Sequence, residues 1–213
     1  MKKIIYTLIL VFAGLQLFAA DYFWVGGSGN WSDFANKWAT SSGGNVFHTQ
    51  APTASDNVFF DQNSFPEEGA VVTVDVNAVC ANMSWTGVLN NPRFTGTTAR
   101  RINIHGSITL DGNLDYNFLG DIYFLSDLTG RTITMAGKTF RRNVYFQGVG
   151  GWILQDEFRQ SGGTVFLERG TLDFNGQMVT MNVFDNNFTN VRTALLRNAT
   201  VTITSNSSTA FVF

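Results

Sequence analysis

Beyond residue 65 the chain alternates. Val72-Thr73-Val74-Asp75-Val76, Ile102-Asn103-Ile104, Ile108-Thr109-Leu110 and Thr132-Ile133-Thr134-Met135 each place an apolar residue at every second position. Leu172-Asp173-Phe174, Val179-Thr180-Met181-Asn182-Val183 and Thr200-Val201-Thr202-Ile203-Thr204 continue the pattern. Each run is short and bounded by Gly, Asn or Asp, which reads as a strand with one buried face. Apolar side chains then point inward and Thr, Asn and Asp outward. Helical periodicity is absent from this stretch.

The punctuation recurs as well. Ile108-Thr109-Leu110-Asp111-Gly112, Ile133-Thr134-Met135-Ala136-Gly137 and Thr171-Leu172-Asp173-Phe174-Asn175-Gly176 share one shape. An aromatic strand follows each: Tyr116 to Phe118, Val144 to Phe146, and Val183-Phe184. The glycines are 25 and 39 residues apart, a degenerate period in the range of stacked supersecondary units. The expected fold is all-β, a right-handed parallel β-helix whose coils tolerate loops of varying length. A β-sandwich is the alternative, because strands every 8–12 residues also suit it. In the solenoid, Ile108 and Leu110, Ile133 and Met135, and Leu172 and Phe174 occupy equivalent inward positions, while Thr109, Thr134 and Asp173 face solvent. Asn residues at the turns are expected to form side-chain ladders between coils.

Residues 21–65 differ. They hold Trp24, Trp31 and Trp38 and little alternation before Asn57-Val58-Phe59-Phe60-Asp61. A solenoid needs an atypical terminal unit to cover its first coil, and this Trp-rich segment is assigned as that cap. Gly26, Gly27 and Gly29 break any long helix, leaving at most one turn from Ser32 to Trp38, capped by Ser32. The domain reading is therefore a signal peptide over 1–20, a cap over 21–65 and solenoid repeats over 66–213.

The signal peptide rests on Lys2 and Lys3, the uncharged run Ile4 to Phe18, and Ala19-Ala20 before a polar, Gly-rich segment. The run is shorter than the ~20 apolar residues a bilayer span needs, so no membrane span is expected after cleavage. Secretion or surface display follows. Loss of Lys2 and Lys3 takes the formal net charge from −2 to −4, which argues against a nucleic-acid partner. Cys80 is the sole cysteine, so no intrachain disulfide staples the fold. With 20 Phe and 21 Gly but three Pro and 14% charged residues, the composition favours long ladders of paired strands.

Tyr22-Phe23-Trp24-Val25-Gly26-Gly27-Ser28-Gly29-Asn30-Trp31-Ser32-Asp33, with Asn36-Lys37-Trp38 and Pro52 through Asp61, is similar to a recurrent N-terminal segment. That segment belongs to large secreted or cell-surface β-solenoid proteins of Bacteroidetes, and also resembles autotransporter-type passenger repeats. Gly151-Trp152-Ile153-Leu154-Gln155-Asp156 looks like their "W-x-L-x-D" strand, and Gly170 to Gly176 like their "G-x-L-D-x-N-G" coil turn. Arg192 to Leu196 and Val201 to Ile203 resemble the strand pair that closes their unit. The resemblance implies surface display, adhesion or envelope architecture. It also implies extracellular glycans or other envelope proteins as partners. Two departures stand out: Phe34 replaces the family's Pro, and the C-terminal sorting domain for type IX secretion does not follow. A truncated piece of a longer protein is the expectation.

Chemistry is sparse. Asp156-Glu157, followed by Arg159, is an adjacent acidic pair within the repeats, and adjacent strand residues point to opposite faces. It is read as a solvated turn, so no catalytic residue is assigned. His48 and His105 have no second ligand at zinc spacing. Asp56, Asn57, Asp61 and Asn63 offer calcium-type oxygen ligands, but no EF-hand or nonapeptide repeat is present. No metal site and no cofactor are assigned. Arg100-Arg101 and Arg141-Arg142 read as turn residues rather than an anion site, and the three Trp as cap core rather than a sugar platform. The function expected is a non-enzymatic module of an adhesin or envelope protein. The alternative is a carbohydrate-binding or polysaccharide-degrading β-helix protein.

Overall fold

The computed structural model describes residues 19–212. All but the last two residues of the signal-like segment lie outside them. The chain winds into a β-solenoid of three faces. The first face carries Asp21–Trp24, Asn57–Phe60, Met83–Trp85, Ile108–Thr109, Arg131–Thr134, Gly151–Leu154, Gly170–Asp173 and Arg192–Leu195, in that order. The second carries Gly29–Asn30, Val71–Val74, Arg93–Gly96 and Asp115–Phe118. It resumes as Phe158–Arg159, Met178–Met181 and Thr200–Ile203 after a single parallel bridge between Phe140 and Gln160. The third runs from Ala78–Cys80 through Arg101–Ile104, Asp121–Phe124, Val144–Phe146, Thr164–Leu167 and Val183–Asp185 to Phe211–Val212. These strands pair in parallel with the coils before and after, the arrangement of a stacked coil and not of a sandwich. Coils are about 4.8 Å apart along the axis.

Alternation does what the pattern requires. Arg101–Ile104, Asp121–Phe124 and Thr164–Leu167 each bury their second and fourth residues and leave the others part-exposed. The inward set forms one continuous core with Phe, Ile, Val and Leu stacked on their counterparts. Phe124 lies 4.9 Å from Phe146, and Trp152 packs edge-on to Phe146 at 5.5 Å.

The register departs from the sequence expectation in the later coils. Paired residues are 25 apart from Val58 to Met83, Met83 to Ile108 and Ile108 to Ile133. The separation is then 21 from Ile133 to Leu154, 20 from Trp152 to Leu172 and 22 from Leu172 to Ala194. The 39-residue glycine gap thus contains an extra coil, the one built on Gly151–Leu154. Ile108 and Ile133 do share a column, but Leu154 continues it and Leu172 stacks under Trp152 two residues away. The three aromatic strands also divide: Asp115–Phe118 belongs to the second face, Val144–Phe146 and Val183–Asp185 to the third. Asp173 corrects a further expectation. It points outward but is buried, because Arg197 of the next coil covers it at 2.7 Å.

The first residues after the signal-like segment already belong to the stack. Asp21–Trp24 pairs in parallel with Asn57–Phe60, and Gly29–Asn30 with Val71–Val74. Trp38–Ala39 then pairs antiparallel on the outside of Asp21–Trp24, ending the first face. The single helical turn among the described residues is Phe34–Lys37. Its N-cap is Asp33, not Ser32, and no side chain caps it. Ser32 instead gives its N–H and hydroxyl to the Asp75 carboxylate at 3.0 and 2.5 Å.

The Asn ladders form. Asn57 donates to Asp21 at 2.8 Å, Asn82 to Asn57 at 2.7 Å, and the Ser107 N–H to Asn82 at 2.7 Å. One corner turns on close backbone approach. A Cβ on Gly148 would lie 2.1 Å from the Ser126 carbonyl oxygen, and one on Gly170, at φ +70°, 2.3 Å from that of Gly150. Only Gly fits there, so the edge between the third and first faces is tight and straight.

Candidate functional site

The structure distributes the residues nominated from sequence rather than gathering them. Trp24, Trp31 and Trp38 are buried and packed edge-to-face, Trp38 at 5.0 Å from Trp24 and 4.9 Å from Trp31. Two of the indole N–H groups are consumed internally: Trp24 donates to the Gly27 carbonyl and Trp38 to that of Trp31. They offer no ring face to a sugar. His48 stacks on the Tyr22 ring at 3.6 Å, while His105 lies on the third face, where burial pulls its pKa down against the opposing pull of Asp127.

The carboxylates are similarly engaged. Asp56 accepts the N–H of Ala20 at 2.9 Å and both the N–H and hydroxyl of Thr53. Asp61 accepts the Asn63 N–H at 2.9 Å, and Asn57 belongs to the ladder. Asp156 accepts the N–H groups of Met135 and Ala136 at 2.7 and 2.6 Å, pinning a turn in which Ala136 has φ +48°. That corrects the reading of Asp156 as a solvated turn residue. Glu157 pairs with Arg159 at 2.7 Å. Arg101 lies over the Tyr123 ring at 5.3 Å, and Arg142 Nε is 3.4 Å from Asp121 Oδ1. Among the described residues, no group of three or more His, Cys, Asp or Glu is placed to hold a metal ion.

The outer surfaces of the faces carry the features that remain. On the third face Tyr123, Tyr145 and Phe166 stand in register as an outward column. Their rings stack at 4.3 and 4.8 Å with interplanar angles of 11° and 14°, and Phe188 closes the end edge-on at 6.3 Å. Each ring covers its neighbour's face, so the column stabilises the stack and leaves ring edges toward water. Burial, aided by Tyr123 and Asp121, pushes the Tyr145 hydroxyl up to about 12.

Two depressions open on the other faces. On the second, a groove of about 330 Å³ lies between Thr139, Glu157, Arg159 and Thr180. On the first, a trench of about 360 Å³ bordered by Val149, Arg169, Asn190 and Val191 adjoins a shallower one of about 150 Å³ beside Thr129, Ile153 and Asp173. Thr171 is common to both. Gly151, Thr171 and Thr193 are successive partners in one outward column, so small side chains form the floor. The wall stands on the glycine-tight corner, where Leu128, Val149 and Val191 are exposed, Val191 at 92%. Arg192 folds back to donate to the carbonyl oxygens of Asn186, Phe188 and Asn190, fixing the loop that carries Val191. Sequence reading missed this trench, because its floor is a column across coils whose register the sequence does not show.

No family model, no curated protein and no solved structure matches this chain.

Proposed function

We propose that the chain is a non-enzymatic module of a secreted or surface-displayed adhesin or envelope protein, presenting a rigid β-solenoid surface. The observation that carries this reading is the parallel stack, continuous along the first and third faces, whose coils at about 4.8 Å give a rod of roughly 30 Å. Ladders of Asn side chains and stacked Tyr and Phe rings brace it between coils. The acidic groups best placed for chemistry serve that architecture. Asp156 holds two backbone N–H groups and Asp56 holds the entry to the first coil. Export is supported by the charge and apolar pattern of residues 1–20. Fractionation of cells carrying a C-terminally tagged chain is expected to place it outside the inner membrane. Deletion of the gene is expected to impair adhesion, spreading or envelope integrity, and a deletion strain indistinguishable from wild type in all three would refute the assignment.

A second reading, a carbohydrate-binding or polysaccharide-degrading protein, is favoured by the trenches on the first and second faces. Incubation with acidic and neutral polysaccharides, followed by reducing-end release and absorbance at 235 nm, separates the two. Turnover abolished by Glu157→Ala would establish the enzyme.

A further inference from the structure

Resting on the surface-module reading, we propose that the trench on the outer side of the first face binds a linear anionic glycan along the solenoid axis. Three observations converge on it. The first is shape. The Gly151–Thr171–Thr193 column makes a floor of small residues between an apolar wall at Val149 and Val191 and an opposite side at Ile153 and Asp173. From Gly151–Leu154 to Arg192–Leu195 that floor crosses two coil spacings, roughly 10 Å. A narrow chain fits it better than a compact molecule.

The second observation is charge. Arg169 projects into the trench, and among the described residues no carboxylate pairs with it. Glu168 turns to the third face, where Gln147 donates to both of its oxygens at 3.0 and 3.1 Å. Asp173, the one acid at the rim, is neutralised by Arg197 at 2.7 Å. Arg192 stays out of the trench, its guanidinium spent on the Asn186 and Asn190 oxygens of the neighbouring loop. Arg169 is thus the one unpaired charge lining the trench among the described residues, and it suits a carboxylate or sulfate, which Arg binds in a two-pronged geometry.

The third observation decides between a glycan and a peptide. Gly151–Leu154 and Gly170–Asp173 pair on both sides, so no strand edge runs along the trench for an extended peptide to join; the one open edge, Arg192–Leu195, lies across its end. What the trench presents is side chains: the hydroxyls of Thr129, Thr171 and Thr193, the Asn190 amide, and apolar surface at Val149 and Val191. Hydroxyls set at coil spacing beside an apolar wall match a polyhydroxylated chain whose rings have polar rims and apolar faces.

The test titrates the purified chain with polygalacturonate, an uncharged linear β-glucan and poly-glutamate, by calorimetry or affinity electrophoresis. Polygalacturonate is expected to bind, with the neutral glucan and poly-glutamate far weaker. Arg169→Gln is expected to weaken binding about tenfold or more, the loss of one charge-assisted contact. Gly151→Val fills the floor where a Cβ has room, its nearest neighbour being Thr171 Cβ at 3.4 Å, and should weaken binding to a similar extent. Arg159→Gln, in the second-face groove, should leave it unchanged. Circular dichroism and melting temperature confirm that each variant is folded. Equal binding of poly-glutamate, binding insensitive to Arg169 and Gly151, loss on Arg159→Gln, or no glycan binding at all would each overturn the trench assignment. None of these would touch the surface-module reading, which stands or falls on the deletion phenotype.

Discussion

Asp156 shows how a residue that looks chemical can be structural. Its carboxylate accepts two backbone N–H groups at 2.7 and 2.6 Å, and Ala136 beside it sits at φ +48°. Removing the acceptor leaves two half-buried donors to find water in a tight turn, so Asp156→Ala should destabilise by about 1–3 kcal/mol. Glu157→Ala, which breaks an exposed pair with Arg159, should leave the denaturation midpoint unchanged. Chemical denaturation of both variants checks the contrast, and equal losses would show that the turn does not depend on Asp156. His105 gives the pH dependence. Burial holds its imidazole below the ordinary 6.5, with Asp127 opposing. The unfolded chain therefore takes up the proton more readily than the folded one. The stability His105 contributes is complete above about pH 6.5 and is lost as the pH falls below it. Melting temperatures followed downward from neutral pH should fall more steeply for wild type than for His105→Gln. Parallel curves would remove His105 as the cause. Tyr145 works in the opposite sense. Its hydroxyl is pushed from 10.0 to about 12, so that contribution is present below about pH 10 and is lost as the pH rises toward 12.

At the scale of the element, alternation was legible because it is local: the inward residues of Arg101–Ile104, Ile102 and Ile104, can be named from the sequence alone. The Asn ladders were legible for a related reason, since Asn recurs at turns where its amide can bridge one coil to the next. Register was not legible, because it depends on coil length, and the 25-residue coils shorten to 20–22 once Gly151–Leu154 is inserted. Nothing local distinguishes one long repeat from two short ones. The trench shares that blindness, since Gly151, Thr171 and Thr193 become neighbours only once the register is known. Phe174 and Thr134 test the inward and outward sets. Phe174 is buried and packs edge-on to Phe184 at 6.3 Å, so Phe174→Ala should cost about 3–5 kcal/mol through lost burial and an unfilled cavity. Thr134, half-exposed beside Thr109, should tolerate Ser with a change under about 0.5 kcal/mol. Urea denaturation of the two variants measures the difference, and comparable losses would contradict the placement of these side chains.

Across the whole molecule each strand pairs only with strands of the coils before and after it, so stability is distributed mainly as a sum of neighbour terms rather than held in one nucleus; one contact reaches further, the Trp152 indole N–H donating to the Gly106 carbonyl two coils away at 3.1 Å. The middle of the stack is fully buried: Phe124, Val144 and Phe146 are all inaccessible to water. Ala194, Val201 and Ile203 in the last described coil are only partly so. The N-terminal end is closed by a different device. The antiparallel Trp38–Ala39 pair covers the outer edge of Asp21–Trp24, and the Trp24, Trp31 and Trp38 rings fill the space beneath. A covered edge of this kind withholds its unpaired backbone groups from other chains. Trp38 joins both parts, since its ring packs on Trp24 and Phe60 while its strand pairs with the first coil. Trp38→Ala should therefore cost about 3–5 kcal/mol at that end. Because coupling passes from neighbour to neighbour, the damage should decay along the axis. Amide hydrogen exchange is expected to speed up most in Asp21–Trp24 and Asn57–Phe60 and to stay near wild-type rates in Gly151–Leu154 and Gly170–Asp173. In the unaltered protein, protection should already be highest in Asp121–Phe124 and Val144–Phe146 and fall toward Arg192–Leu195. A uniform rise in exchange after Trp38→Ala would mean that the stack opens as a single cooperative unit, with coupling between coils strong enough to carry the loss of the cap through its whole length.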